Sequence, residues 1–244
     1  MSFRSRAFFI HLTFSVCLTF IAFLLVLQVW YVDPLYKVVG VIDIFFMMIL
    51  VDLLIGPLLT FFIAKPLKKS LVFDVSVIVL VQVLFYLFGL FSIWDGRPIW
   101  LVYTVDRFDV IQAYELASSE KSVGGLEFSS YQFFGPKWAY TKIPTNASER
   151  DSILFESLSG GKDFSQHPEY YRPLNEAGAI MLKNSQPIST LKDFNNSDKV
   201  DSLLKNWPTA NSFLPMMGKT GALTVLLQKR QPYVLGVVDL RPWQ

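Results

Sequence analysis

The chain has 244 residues, 52% of them hydrophobic, with 22 phenylalanines and a formal net charge of +2. So small a charge, with no Lys/Arg run interleaved with aromatics, argues against a nucleic-acid-binding protein. One cysteine, Cys17, excludes a disulfide framework and cysteine-based metal clusters.

The apolar residues are unevenly spread. They dominate the chain up to about Trp94, and the remainder has the composition of an ordinary soluble domain. The expected class is a membrane protein: three N-terminal transmembrane helices (1–96) followed by a small α+β domain (97–244). The spans run from Ala7 to Trp30, Val41 to Ala64 and Leu71 to Trp94. Each has about 24 residues, which at ~1.5 Å per residue crosses a ~30 Å hydrocarbon core with some tilt. A buried core helix would explain any one of them, but not three in succession joined by short polar loops. The first run has the basic start of a signal peptide (Arg4, Arg6). Its apolar stretch exceeds the usual ~7–15 residues, and no small-x-small site follows "LQVWYVDP", so it reads as an uncleaved anchor.

Basic residues set the expected orientation. Arg4 and Arg6 lie at one end, and "KPLKKS" carries Lys65, Lys68 and Lys69 between the second and third spans. The positive-inside rule places both in the cytoplasm and the 97–244 domain outside, in the periplasm of a bacterium. Trp30, Tyr31, Trp94 and Trp100 are then expected to form an aromatic belt at the outer interface.

In the outer domain, Ile99 to Val105 reads as a strand, with a turn near Asp106-Arg107 and a second strand or helix beyond. "NASERDSILFESLSGG" reads as a capped helix. Short helices are expected near Pro187–Phe194 and Ser197–Trp207. "GALTVLLQKRQPYVLGVVDLRPW" reads as two strands joined around Lys229–Gln231.

Catalytic signals are weak. His167 is the domain's one histidine and reads as a loop residue. The Gly pairs of "VGGL" and "LSGGKD" lack phosphate-loop spacing. In "DRFD", Asp106 and Asp109 flank Arg107 and read as a solvated or salt-bridged turn. No enzyme and no cofactor is expected.

The membrane part is more pointed. A carboxylate near a span's centre costs roughly 3 kcal/mol on insertion scales, so it normally faces the bundle interior. Asp52 and Gln82 lie about 18 Å and about 16 Å from the same side of their spans, and Thr19 sits at a similar depth. A hydrogen-bonded layer of Thr19, Asp52 and Gln82 is expected, with a second layer of His11, Thr60 and Asp74 nearer the cytoplasm. Pro57 removes the bond to the Leu53 carbonyl, and Gly56 adds freedom beside it, so a kink is expected there. These polar groups read as interhelical glue, as a proton or ion pathway, or as a docking notch for a partner's helix.

Taken together, "SFRSRAFFIHL", "VDLLIGPLLTFFIAKPLKKSLVFD", "RPIWLVYTVDRFDV" and the C-terminal "GVVDLRPW" resemble the TfpX/TfpZ family of type IV pilin accessory proteins. The resemblance covers the first ~110 residues and returns at the C-terminus. It implies an inner-membrane, chaperone-like protein that assists assembly of one type IV pilin into pili by stabilising or presenting the subunit. The implied partner is a type IV major pilin, its transmembrane helix meeting the bundle and its globular head meeting the 97–244 domain. Membrane lipid is a further partner, nucleic acid is not, and homo-oligomers are compatible with the reading. The competing class is a membrane-anchored extracytoplasmic ligand-binding or sensor protein. It would need an apolar pocket in the outer domain and a cytoplasmic output domain.

Overall fold

The computed structural model describes residues 1–116 and 133–243, so the "VGGL" pair lies outside the described residues. The chain forms two compact units. One is Met1–Trp30 with Gly40–Gly96; the other is Tyr31–Val39 with Arg97–Gln244.

The first unit is helical. Helix α1 (Phe3–Leu25) is capped by Ser2, whose Oγ accepts from the Ser5 amide, and runs into a π-helical turn at Val26–Trp30. Gly40, at φ 76°, starts α2 (Val41–Ile49) in a left-handed conformation that glycine adopts without a Cβ clash. A π-helical segment, Leu50–Ile55, joins α2 to α3 (Gly56–Ile63). Helix α4 (Leu71–Asp95) completes the unit. Phe3–Trp30, Val41–Ile63 and Leu71–Asp95 are each long and apolar enough to cross a membrane. Phenylalanines such as Phe14, Phe46, Phe62 and Phe88 point outward. Such a surface suits hydrocarbon, where helices satisfy their backbone bonds internally.

The second unit is α+β, built on a curled sheet in the order β4-β3-β1-β2-β6-β7-β8. Its strands are β1 (Pro98–Thr104), β2 (Arg107–Gln112), β3 (Lys137–Thr141), β4 (Tyr171–Arg172), β5 (Gln186–Pro187), β6 (Ser212–Met217), β7 (Ala222–Leu227) and β8 (Val234–Val238). Helices α5 (Ala113–Leu116), α6 (Ala147–Leu158), α7 (Gly178–Asn184), α8 (Leu191–Phe194) and α9 (Ser197–Leu204) connect them. β1 and β2 form an antiparallel hairpin, while β1–β3 and β2–β6 are parallel. Every residue of β1 is buried, so both faces of the sheet's centre are covered. Two apolar clusters follow. One gathers Trp100, Ile111 and Tyr171; the other gathers Leu191, Val200, Phe213 and Leu226.

Several expectations shift. Tyr31 and Trp100 are not belt residues, because both rings are buried in the core of the second unit. Trp30 packs edge-on against Trp94, 4.9 Å between centroids. β1 ends one residue earlier than read: Val105 takes φ 57° in the turn, its carbonyl held by the Tyr103 hydroxyl and the Asn184 amide. Arg107 pairs with Asp109 at 2.9 Å, a salt bridge as expected, but both lie in strand β2 and the turn is Val105-Asp106. Strand β6 escapes sequence reading because it carries Pro215 in its middle. The sheet tolerates it, since β6 pairs with β5 at Ser212–Phe213 and with β2 at Met216–Met217. Pro215 falls between those two partners.

The segment Tyr31–Val39 is part of this unit. Val38 accepts from the Thr220 amide at 2.9 Å, Val39 from the Gln112 side chain at 3.4 Å, and Lys37 pairs with Asp239 at 2.8 Å. Tyr31, Leu35, Val38 and Val39 are buried.

Candidate functional site

Helices α1 and α4 both pack on α3, and a groove of about 450 Å³ runs between them. Its mouth carries exposed apolar side chains, among them Ile10, Phe14, Val79 and Val83. Its floor carries His11, Asp52, Thr60 and Gln82. At one end, the Tyr86 hydroxyl of α4 donates to the Leu18 carbonyl of α1 at 3.2 Å. The volume suits a ridge of side chains from a neighbouring helix, not a whole helix.

The floor follows from the backbone of the second span. In its π-helical segment each amide reaches back five residues, and Gly56 donates to the Val51 carbonyl. The next amide in that register would serve Asp52, but residue 57 is proline and has none. Gln82 fills the gap, its Nε2 donating to the Asp52 carbonyl at 3.4 Å. It can do so because residue 56 is glycine: a Cβ there would lie 2.1 Å from Gln82 Nε2. Asp52, Gly56, Pro57 and Gln82 thus form one device, in which a proline opens a carbonyl and a glycine admits the amide that closes it. The carbonyl served is that of Asp52, where the sequence pointed to Leu53.

The remaining polar residues divide. His11 Nδ1 and Thr60 Oγ1 hydrogen-bond at 2.6 Å, linking α1 to α3. Asp74 does not join them; it pairs with Lys68 at 2.6 Å and accepts from Ser70 at 2.9 Å. Lys65 and Lys69 are exposed in the same loop. Thr19 is buried, and its hydroxyl has no partner among the described residues. The Gln82 amide lies within interaction range of both the His11 ring and the Asp52 carboxyl. Even so, Asp52 Oδ2 and Gln82 Oε1 are buried without a hydrogen-bond partner. The floor therefore keeps two unpartnered acceptors, both shielded from solvent. Ser15 and Tyr86 also line the groove; sequence reading missed them, because a lone Ser or Tyr is common in an apolar span. In the second unit, His167 bonds Glu169 at 3.1 Å, in a connection that holds no cluster of titratable metal ligands.

The chain is similar to fimbrial assembly proteins. The family model described as Fimbrial assembly protein FimB matches residues 1–40. That stretch covers α1, with His11, Ser15 and Thr19, and the segment Tyr31–Val39. The chain is 28% identical over 182 residues to the Fimbrial assembly protein, serogroup I, of Dichelobacter nodosus, covering 74% of this chain and 70% of that one. It is 27% identical to the serogroup E1 protein of the same organism, covering 68% of this chain and 65% of that protein. A third, for serogroups C1 and C2, is 29% identical over 46% of this chain and 86% of its own length. No solved structure matches.

Proposed function

We propose that the chain is an inner-membrane accessory protein, chaperone-like, that assists assembly of a specific type IV pilin into pili, as its resemblance to the TfpX/TfpZ family implies. One observation carries this reading. The match to a fimbrial assembly protein spans 182 residues, more than either the membrane part or the outer domain contains, so it runs through both. The groove adds a physical means. A subunit held in the membrane by one apolar helix needs a surface that accepts that helix, and the α1/α4 groove is apolar at its mouth and polar at its floor. The proposed orientation puts the N-terminus and Lys65, Lys68 and Lys69 in the cytoplasm and the 97–244 domain in the periplasm, beside the pilin's globular head. No step of bond making or breaking is assigned to any residue.

The test is genetic and direct. Removing the chain should reduce surface pili seen by electron microscopy, with pilin transcript unchanged, and restoring the chain should restore them. Unchanged piliation would contradict the proposal. The ligand-binding alternative finds support in a cavity of about 580 Å³ in the outer domain, lined by Trp138, Met181 and Tyr233. Normal pili together with a small molecule retained by the purified full chain would favour it.

A further inference from the structure

The groove's floor is asymmetric in its hydrogen bonding, and that asymmetry specifies what can lie in it. Two of its polar side chains, Asp52 at 5% exposure and Gln82 at 9%, come from different spans. Each keeps one buried oxygen without a partner, Asp52 Oδ2 and Gln82 Oε1. Most donors close to them already serve other groups. The Gln82 amide serves the Asp52 carbonyl, the Tyr86 hydroxyl serves Leu18, and one hydrogen bond joins His11 Nδ1 to the Thr60 hydroxyl, which leaves that pair one donor. The surrounding wall is apolar apart from Ser15. In hydrocarbon an unmet buried acceptor is costly, and lipid chains cannot meet it.

We infer that the groove recognises a partner helix by a hydrogen-bond donor, a hydroxyl or amide side chain carried at mid-membrane depth, which Asp52 Oδ2 and Gln82 Oε1 accept. This rests on the reading of the groove as the seat of the pilin's transmembrane helix and adds a rule of selection to it. Apolar contacts along α1 and α4 fit any apolar helix. The two acceptors reward a helix with one donor at one depth and so fix its register in the groove. Gly56 and Pro57 take part as positioning residues, because they turn the Gln82 amide toward the Asp52 carbonyl and thereby leave Gln82 Oε1 open.

The experiment uses the full chain in membranes, co-expressed with its pilin, with the photoreactive residue p-benzoylphenylalanine in place of the exposed Phe14 at the groove's mouth. Irradiation should give a covalent adduct with the pilin. Asp52→Leu should lower the adduct yield by about threefold to tenfold, the scale of one interhelical hydrogen bond in a membrane. Removing hydroxyl and amide groups one at a time from the pilin helix should identify one whose loss gives the same reduction, with no further loss when combined with Asp52→Leu. Absence of any adduct would sink the docking reading itself. A full adduct that ignores Asp52→Leu and every pilin variant would leave docking intact and overturn the donor rule. It would mean that the chain's own donors, a proton on Asp52 or the spare hydrogen of the His11–Thr60 pair, satisfy the two oxygens internally. Should Asp52→Leu fail to accumulate, the pilin-side substitutions decide the question alone.

Discussion

A β-carbon at position 56 would lie 2.1–2.3 Å from the Gln82 amide, so Gly56→Ala must displace it. The amide is the end of a flexible side chain and can swing out. The cost is therefore its hydrogen bond to Asp52, about 1 kcal/mol, rather than loss of the bundle. Thermal unfolding of the detergent-solubilised chain should show a small fall in midpoint. A large collapse would mean that the glycine is needed for more than the amide. Asp239 offers a second test at this scale. Its hydrogen bond from Lys37, and the nearby Lys199, hold its carboxyl below the usual carboxylate range. A carboxyl depressed by folding contributes stability that is present above its unfolded value, ~3.9, and is lost as pH falls through the folded one. Both partners are about 40% exposed (38% and 44%), so the contribution stays below about 1 kcal/mol. Asp239→Asn should flatten the acid limb of stability against pH below about 4 and change little at neutral pH.

At the level of elements, the segment Tyr31–Val39 shows how a short connection between spans becomes part of a folded domain. Its Val38 carbonyl sits against Gly218, where a β-carbon would lie 2.5 Å from that oxygen. Here the obstacle is backbone, which cannot swing aside. Gly218→Ala should therefore break the Thr220–Val38 bond and speed amide hydrogen exchange of residues 31–39. Unchanged exchange would show that the segment is held by its buried side chains alone. None of this was legible in the sequence. "YVDPLYKVVG" reads only as a connecting loop, because its partners, Gln112, Thr220 and Asp239, are about 70 to 200 residues away along the chain. The three apolar helices and the β7–β8 hairpin were legible, since local pattern decides them. β6 was not, since Pro215 is tolerable only where two short strands share one edge. In the groove, burial of Asp52 followed from the cost of a carboxyl in lipid, and its pairing with Gln82 followed in outline from depth. The π register that selects the Asp52 carbonyl needed three dimensions, because proline alone predicts the carbonyl four residues back, not five.

On the scale of the whole molecule, the proposed assembly role asks for two things: a membrane surface that accepts an apolar helix and an outer domain on the side where a pilin's head lies. The first unit supplies a groove with two unpartnered acceptors beneath it, and the second is a folded α+β body of its own. If the groove holds the pilin's helix, filling the groove should release the pilin. Val79 lies on the groove's wall at 41% exposure, so Val79→Trp blocks the groove without entering a packed core. The measurement is the amount of pilin that co-purifies with the full chain from detergent-solubilised membranes. The account predicts that the unaltered chain retains pilin and that Val79→Trp, present at equal level, loses most of it. Equal retention by the two would contradict it.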